Sequence, residues 1–306
     1  MFTHLFVLHA ADQALIRIDI ATLETSIVAS GLNSVPDGIV VDPAGEHAYW
    51  TNMGRPSLID RGRPPTEDNL DFYARNGSIE RVALDGGGRE SIVAEGRFVT
   101  GKQLAADWSA GRLYWADREG AAIRSVAVDG SDLRDELVVA PTEQEQRDAR
   151  NHCVGIAIDT DDGHLYWTQK GPAKGGVGQI LRSSLNIPQG QSAAEREVEI
   201  LWSQLPEPID LELNLRDGIL YWTDRGRPPY GNTLNCADIP RPGRPGGSAV
   251  VLASGFNEAI GLAVDRQRGV AYVGDLSGEI REVNLDGSGD RPLIAFDGMI
   301  TGIAGA

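Results

Sequence analysis

A five-residue stretch built on a Tyr-Trp pair returns along the whole chain. Its clearest copy is Leu-Tyr-Trp-Thr-Asp at residues 220–224, and near copies stand at 48–52, 113–117 and 165–169. A weaker copy, Ala-Tyr-Val-Gly-Asp, occupies residues 271–275. Successive copies are roughly 50 to 65 residues apart, and self-similarity at such a period indicates a repeat architecture. This repetition constrains the fold more than any single motif in the sequence does.

Each Tyr-Trp copy is accompanied by further runs that read as β-strands. A string of the form Gly-Ile-Ala-Val-Asp precedes it, at residues 38–42, 103–107, 155–159, 210–214 and 261–265. An alternating stretch that ends in Asp-Gly, and then a short apolar run, follow most copies. The 37 glycines and 16 prolines cluster between these runs, which is typical of an all-β protein. Four strands per repeat, stacked around one axis, predict a β-propeller.

The two ends of the chain complete one repeat between them. Residues 5–9, 14–19 and 26–29 match the second, third and fourth strands of a unit, but no first strand precedes them. Residues 302–306 match the missing first strand. We therefore predict a six-bladed β-propeller of four-stranded antiparallel blades, in which the C-terminal strand and three N-terminal strands close the last blade. In this prediction residues 1–306 form a single domain.

The charge and the cysteine content limit the partners and the compartment. A formal net charge of −16, from 44 acidic and 28 basic residues, repels phosphate backbones and acidic membranes. Cys153 and Cys236 are the only cysteines, so we expect no disulfide framework and a reducing compartment. The N-terminus lacks the pattern of a signal peptide, and no run approaches the roughly 18 apolar residues of a membrane helix. We expect a cytoplasmic protein that binds a small molecule rather than nucleic acid or a membrane.

These repeats resemble the YWTD propeller of low-density lipoprotein receptors. The resemblance covers nearly the whole chain and is carried by the Tyr-Trp copies, the Gly-Ile-Ala-Val-Asp strings and the Asp-Gly turns. It implies the six-bladed fold, and for function it implies a module that binds or releases a protein ligand. The cysteine-rich repeats that flank the receptor propellers have no counterpart in this sequence. The chain also departs from the family pattern at Gln103, Asp210 and Val273-Gly274.

Residues that recur once in every unit are expected to be structural. Trp50, Trp115, Trp167 and Trp222 occupy the same place in each clear repeat, which favours packing between blades over a single site. The recurrent aspartates are expected to tie strand ends together by hydrogen bonds. They are Asp42, Asp107, Asp159 and Asp265.

Function is expected where the repeats break. Four insertions, at residues 52–77, 141–151, 169–178 and 225–232, fall on the face where the first strands begin, and long loops on one face predict a lidded pocket. Non-repeating polar residues surround the same mouth of the central channel. The residues expected to bind the substrate are Asp37, Met53, Arg55, Lys102, Gln103, Arg118, Lys170, Glu207, Arg225 and Glu258.

Asp210 and Glu212 are the most informative departures from the repeat. Positions two apart on a strand point the same way, and the other units carry small or neutral residues there. If the small residues face the channel, two carboxyl groups enter it together, and neighbouring carboxyl groups raise each other's pKa as an acid or base requires. The alternative is a pair that channel water solvates or that Lys102 and Arg225 neutralise. We predict Asp210 and Glu212 as acid and base.

His152 is predicted as a second proton carrier at the rim of the mouth, and the alternative is a solvated side chain. Lys102, Arg118 and Arg225 are expected to hold an oxyanion or a carboxylate. No nucleophile elbow, phosphate loop or dinucleotide fingerprint occurs, so no organic cofactor is expected.

A divalent metal is an alternative, because carboxylates suit Ca²⁺ or Mg²⁺. Gluconolactonase-type lactonases resemble this arrangement in having a six-bladed propeller with a divalent ion over the channel. Their ligand motifs do not match here residue by residue. The residues that would serve as ligands are Asp37, Glu207, Asp210, Glu212, Asn257 and Glu258.

Three functions remain open on the sequence. The leading one is a small-molecule-binding propeller that acts as a lyase, a cyclase or a hydrolase, for example in secondary metabolism, by acid–base and hydrogen-bond catalysis. The second is a non-catalytic protein-interaction propeller with an exposed surface of apolar and aromatic residues. The third is a divalent-metal-dependent lactonase.

Overall fold

The chain folds into a ring of four-stranded antiparallel sheets. The computed structural model describes residues 1–306, apart from the side chain of Glu67. Within that description, six sheets have four strands each and one small sheet has two strands. This confirms the predicted six-bladed β-propeller.

The strands follow one another in chain order. They are β1 (His4–His9), β2 (Ala14–Asp19), β3 (Thr25–Ser30), β4 (Pro36–Val41), β5 (His47–Asn52), β6 (Ser57–Leu58), β7 (Leu70–Asp71), β8 (Ser78–Ala83), β9 (Glu90–Val93), β10 (Gly101–Asp107), β11 (Arg112–Asp117), β12 (Ala122–Ala127), β13 (Arg134–Val138), β14 (Cys153–Asp159), β15 (His164–Gln169), β16 (Gly178–Ser184), β17 (Glu199–Leu205), β18 (Pro208–Asn214), β19 (Ile219–Asp224), β20 (Thr233–Asp238), β21 (Val250–Ser254), β22 (Ala259–Asp265), β23 (Val270–Asp275), β24 (Glu279–Asn284), β25 (Asp290–Ala295) and β26 (Ile300–Gly305). The helices are short: α1 (Glu143–Gln146) and the 3₁₀ turns Glu67–Asn69 and Ala149–Asn151.

The blades are numbered here along the chain. The first is β4-β5-β8-β9, and the second to fifth are β10 to β13, β14 to β17, β18 to β21 and β22 to β25. In each blade the first strand of the repeat is the inner one, and each inner strand packs against the inner strand of the next blade. None of the described helices is long and apolar enough to cross a membrane.

The sixth blade closes the ring by joining the two ends of the chain. Its strand order is β26-β1-β2-β3, and β26 pairs antiparallel with β1, with Leu5 opposite Gly305. The backbone N–H groups of Thr3 and His4 also donate to the carbonyl of Ala306, at 2.7 and 2.9 Å. The predicted closure by the C-terminal strand is therefore confirmed.

The tryptophans of the repeat pack between blades, as predicted. Trp50, Trp115, Trp167 and Trp222 are at most 1% exposed, and each lies in an apolar cluster that draws on two neighbouring blades. Burying an aromatic side chain of this size contributes on the order of 3 kcal/mol. The Tyr-Trp stretch therefore has a structural role, because its tryptophans hold neighbouring blades together.

The recurrent aspartates close the turns that follow the inner strands, which confirms their structural role. Oδ1 of Asp107 accepts hydrogen bonds from the backbone of Ser109 and Ala110, both at 3.0 Å. Asp159 and Asp265 make equivalent bonds, and Asp42 accepts hydrogen bonds from the backbone N–H groups of Glu46 and His47, four and five residues on.

The small residues of the inner strands serve the packing of neighbouring blades. A Cβ atom built on Gly38 would lie 2.5 Å from the backbone nitrogen of Leu104 in the next inner strand, and one on Gly155 would overlap the carbonyl of Ile209. At the first position the glycines are required because adjacent inner strands approach closely, so the expectation that they are small because they face the channel is wrong there. At the second position the expectation is confirmed, because Ala105, Ala157 and Ala263 line the central channel.

The threonine of the repeated motif links one blade to the next. The hydroxyl of Thr223 accepts a hydrogen bond from the backbone of Asp210 at 3.1 Å and donates one to the carbonyl of Ile260, in the next blade, at 2.9 Å. Thr51 and Thr168 make the same two bonds, one within their own blade and one to the next blade. The recurrence of the motif thus places a hydroxyl at the boundary between neighbouring blades.

Replacing this hydroxyl is expected to destabilise the ring. Thr223→Val keeps the shape of the side chain but leaves a buried N–H and a buried carbonyl without their partner, which costs about 2 kcal/mol. Urea unfolding followed by tryptophan fluorescence measures the loss. Thr25→Val, at an exposed threonine of an outer strand, is the matched control. Equal midpoints for the two variants would show that the hydroxyl bridge contributes nothing.

Candidate functional site

The two faces of the ring differ. The loop face is the face where the inner strands begin, and the open face is the face where they end. A cavity of about 660 Å³ occupies the central channel and reaches the open face. Its wall is made by inner-strand residues of every blade, and its rim is made by residues of the open face, namely Met1, Phe2, Pro43, Trp108, Leu215, Arg266 and Gln267.

A closed layer separates this cavity from the loop face. Val154, Ile209 and Ile260, at the start of three successive inner strands, pack together and are at most 5% exposed. The corresponding positions of the first two blades carry Asp37 and Lys102, which form a buried ion pair. None of these residues is among the described residues that line the cavity. The channel is therefore blind at the loop face.

The structure divides the residues that the sequence placed in one pocket. Gln103, Asp210 and Glu212 line the cavity that opens on the open face. The other predicted site residues lie at or above the closed layer, on the loop face. The prediction that all of them meet in a lidded pocket is therefore wrong, because the layer around Ile209 lies between the two groups.

Asp210 is held rigidly in the wall of the cavity. Its Oδ1 accepts a hydrogen bond from the N–H of Leu211 at 2.8 Å, and its Oδ2 accepts one from the N–H of Leu262, in the next blade, at 3.0 Å. Burial, and next the charge of Glu212, raise the pKa of Asp210 well above its ordinary value, while the two N–H donors act in the opposite direction. Both oxygens already accept hydrogen bonds from the backbone, so Asp210 is less free than Glu212 to exchange a proton with a bound molecule.

Glu212 is the more accessible carboxyl group. It follows Asp210 along the same inner strand, its side chain is 37% exposed, and its Oε2 lies 3.9 Å from Nη2 of Arg266. Enclosure in the channel raises the pKa of Glu212 to about 7, against the opposing effect of Arg266. Near neutral pH both forms are populated, which allows the group to donate and to accept a proton.

Gln103 and Trp108 lie on the wall formed by the second blade. Gln103 is 4% exposed, and its amide nitrogen has no hydrogen-bond partner. Trp108 lies at the rim, only partly buried, with its ring centroid 5.7 Å from that of Tyr49. The buried donor of Gln103 lacks the partner that buried polar groups normally have.

The sequence analysis missed Trp108 and Arg266, although a signal for them existed. Both directly follow the last residue of the Gly-Ile-Ala-Val-Asp string, where other units carry Pro43, Thr160 and Leu215. The residue type at these positions differs from unit to unit, as it does at the positions before the string. Aligning both ends of the string would have identified the rim of the open face.

On the loop face, Glu207 is the centre of a buried ionic network. Its Oε1 lies 2.8 Å from Nη2 of Arg225 and 3.3 Å from Nζ of Lys170, and its Oε2 accepts a hydrogen bond from the N–H of Lys174 at 2.8 Å. Glu258 joins the rim of this network through Nζ of Lys174 at 2.8 Å and Nη1 of Arg225 at 3.5 Å. The network ties the inserted loops at 169–178 and 225–232 to the ring.

The remaining predicted residues of the loop face also have protein partners. Nζ of Lys102 donates to Asp37 and lies 3.6 Å from Sδ of Met53. Burial raises the pKa of Asp37 and lowers that of Lys102, while their mutual attraction opposes both shifts. Arg118 pairs with the buried Glu119 at 2.6 Å, and Arg55 pairs with Glu95 at 2.7 Å near the outer edge.

His152 lies under the lid made by two inserted loops. Its Nε2 is 3.1 Å from the hydroxyl of Tyr73 and 3.1 Å from the carbonyl of Gln146. Burial lowers the pKa of His152, so the imidazole is mainly neutral at neutral pH. The cavity lining does not include this histidine, which places it apart from Asp210 and Glu212.

The carboxylates proposed as metal ligands do not converge. Glu207 and Glu258 bind cations of the loop face, and Asp210 and Glu212 lie in the channel below the closed layer. Among the residues that the structure describes, no group of three or more His, Cys, Asp or Glu side chains is placed to hold a metal ion. The predicted ligand set is therefore not assembled.

The fold and the repeated motif define the class: a YWTD-type six-bladed β-propeller. No protein-family model matches the chain. The chain is 41% identical over 287 residues to the low-density lipoprotein receptor-related protein 1 of Pyricularia oryzae, a match that covers 90% of this chain and 87% of that protein. The chain therefore belongs to the family of that Pyricularia protein.

A second sequence relative and a solved structure are also similar to this chain. The chain is 36% identical over 282 residues to the 3-hydroxyacyl-CoA dehydrogenase-like protein LAM1 of Cochliobolus heterostrophus, and the match covers 88% of this chain but 56% of that protein. A crystal structure of a nidogen–laminin complex contains a chain of the same fold, with a TM-score of 0.70 at 19% identity, covering 98% of this chain and 97% of that one. The second similarity shows the fold alone.

Proposed function

We propose that this protein binds a small organic molecule in the channel, from the open face, and that Glu212 exchanges a proton with it. The observation that carries the proposal is the cavity of about 660 Å³ with Asp210 and Glu212 in its wall. Ligand sites are concave, largely apolar and equipped with a few polar groups, and this volume lies in their usual range. The repeat places small or apolar residues at the positions equivalent to Glu212, so its carboxyl group is a departure from what the fold needs.

The environment of Glu212 suits acid–base chemistry. A carboxyl group whose pKa lies near the working pH contributes typically 10²- to 10⁴-fold to a proton-transfer step. As a base Glu212 would take a proton from the bound molecule, and as an acid it would return the proton to a leaving or newly formed group. Hydrolysis, elimination and cyclisation all use such a step, so the proposal covers a hydrolase, a lyase or a cyclase.

The names of the relatives point to different functions. One is a receptor-related protein, and another is a dehydrogenase-like protein of which this chain matches 56%. The proposal therefore rests on the channel and its carboxyl groups.

The titration of Glu212 can be tested without a substrate. Burial raises the pKa of Glu212 from its ordinary value of 4.5 to about 7 in the folded state, so between these two pH values the folded state binds more protons than the unfolded state. Stability should therefore fall as the pH rises through this window. Glu212→Gln should remove that part of the slope, as measured by urea unfolding at several pH values. The exposed Glu24→Gln is the matched control, and parallel curves for wild type and Glu212→Gln would contradict the shift.

The function itself is tested with ligands. A small-molecule library is screened by protein-observed NMR, and shifts are expected at channel residues such as Ala105 and Ala263 rather than on the loop face. For any compound that turns over, Glu212→Gln should lower kcat by about 10²- to 10⁴-fold. Full turnover in this variant, or ligand shifts confined to the loop face, would reject the proposal.

A second candidate function, protein binding, is favoured by one observation. Large apolar side chains are exposed on several loops of the loop face: Leu58, Ile59, Val177, Tyr230 and Met299. Tyrosine is among the residues that contribute most to the binding energy of protein interfaces, and Tyr230 is the most exposed of these side chains. Under this alternative, Tyr230→Ala would weaken a protein complex by about tenfold or more and leave channel ligands unaffected.

A further inference from the structure

The geometry points to a class of ligand: we propose that the channel binds a planar ring compound with a protonated basic group, the ring lying against Trp108 and the basic group facing Glu212. This inference rests on the proposed function, because it uses the same cavity. It adds the shape and the charge of the ligand. The shape is inferred from Trp108 and the charge from Glu212, which lie on different walls of the channel.

Trp108 provides a flat apolar surface at the rim. It stands at a position that differs in every unit, so the propeller frame does not require it. The other five of the six tryptophans are at most 9% exposed, whereas Trp108 is only partly buried and borders the cavity. A large aromatic side chain at the edge of a cavity binds planar rings by offset stacking and burial of area.

The charges along the channel favour a cation. Asp210 and Glu212 lie on the inner strand of the fourth blade, inside the channel. Arg266 lies at the rim, where its guanidinium donates to the carbonyl of Leu213 and its side chain is 49% exposed. Nη2 of Arg266 is also 3.9 Å from Oε2 of Glu212, and the N-terminal ammonium of Met1 donates to Gln267 at the rim. The cations of the lining therefore lie at the mouth, and a basic ligand group would share Glu212 with Arg266. The formal net charge of −16 adds a long-range attraction for cations.

Gln103 gives an independent sign that the channel is completed by a ligand. It occupies the same repeat position as Asp210, two blades away, and it lines the cavity. Its amide nitrogen is buried without a partner, which costs about 1–3 kcal/mol in a folded protein. A ligand or an ordered water molecule that accepts a hydrogen bond from Gln103 would remove this cost.

Three probes of the same shape test the charge of the ligand. Benzamidine, benzamide and benzoate share a planar ring and differ in being cationic, neutral and anionic. Because Trp108 is the one tryptophan among the described side chains that is not buried, quenching of the tryptophan fluorescence by acrylamide reports on it. Above the pKa of Glu212, we expect benzamidine to protect Trp108 from quenching with an affinity about tenfold higher than benzamide and higher still than benzoate.

Two variants assign the effect to the proposed walls. Glu212→Gln should weaken benzamidine about tenfold and leave benzamide unchanged, because only the cation loses a charged partner. Trp108→Ala should remove the fluorescence that acrylamide quenches, and calorimetry should show weaker binding of all three probes. Trp202→Phe, at a buried tryptophan, is the control and should change neither the quenching by acrylamide nor the affinity of the probes. Thermal unfolding checks that each variant is folded.

The possible outcomes separate this inference from the proposed function. If benzoate or benzamide binds more tightly than benzamidine and still protects Trp108, the channel is a ligand site but the cationic class is wrong. If benzamidine binds without protecting Trp108, the aromatic wall is wrong. If none of the three probes protects Trp108 or binds by calorimetry, this inference fails, while the titration of Glu212 and the library screen still decide the proposed function.

Discussion

Removal of residues 302–306 is expected to unfold the whole ring. These residues supply most of β26, whose backbone pairs with β1, and the carbonyl of Ala306 accepts hydrogen bonds from Thr3 and His4. Ile303 and Ala304 also belong to the apolar clusters on either side of the sixth blade. Without them the inner strands of the first and fifth blades lose a neighbour, and the loss of several kcal/mol is a large part of the roughly 5–15 kcal/mol that stabilises a domain.

The truncation is measured by thermal unfolding and by near-ultraviolet circular dichroism of the tryptophans. The matched control deletes residues 188–191, an exposed part of the connection between the third and fourth strands of the third blade. That deletion should leave the melting temperature nearly unchanged. If the two deletions behave alike, the ring does not depend on its closure by β26.

Glu207→Gln is expected to destabilise the protein by about 3–5 kcal/mol. The carboxylate of Glu207 is fully buried and neutralises Arg225 and Lys170, which are themselves at most 8% exposed. The amide keeps the size of the side chain but places an N–H donor beside the donors of Lys170 and Arg225, so two buried cations lose a fully buried counterion. The expected loss is larger than for the surface ion pairs of this protein, which contribute about 0–1 kcal/mol each.

Urea unfolding of Glu207→Gln and of Glu258→Gln separates burial from charge. Both variants remove one negative charge from the same network, but the side chain of Glu258 is 22% exposed and lies at its rim. We expect a loss near 1 kcal/mol or less for Glu258→Gln. Similar losses in the two variants would show that water, rather than Glu207, neutralises the buried cations.

The fold could be predicted from the sequence because its determinants repeat. Trp50 and its equivalents recur at the same place in each unit, and residues 302–306 match the strand that the N-terminus lacks. Each repeat shows the same pattern of packing residues, so a departure at a single position, as in a weak copy of the motif, does not change the predicted fold. The weak copy at 271–275 still forms a blade of the same topology.

The site could be predicted only in part, because its geometry depends on features without a sequence pattern. The pairing of each inner strand shifts register near its start, for example between Pro208 and Leu211, so strict alternation does not hold there. Asp210 and Glu212 were identified because they break the repeat. Their separation from Glu207 depends on the layer around Ile209, and ordinary apolar residues at single positions give no signal of a barrier.

The partners of the loop-face cations were equally hidden. Lys170 and Glu207 are 37 residues apart in the chain, and Arg225 follows 18 residues later, so only the ring brings them together. The sequence analysis assigned these cations to a substrate. The structure gives them protein partners, which bind the inserted loops to the blades.

The closed layer at the loop face also limits how a small molecule can enter and leave the channel. If the proposed reaction takes place, its substrate enters and its product leaves by the same opening, past Trp108 and Arg266. Product that has not left therefore occupies the space that the next substrate needs, and any reaction in this channel should show competitive inhibition by its own product. Because the channel is closed at the loop face, a ligand both enters and leaves at the open face.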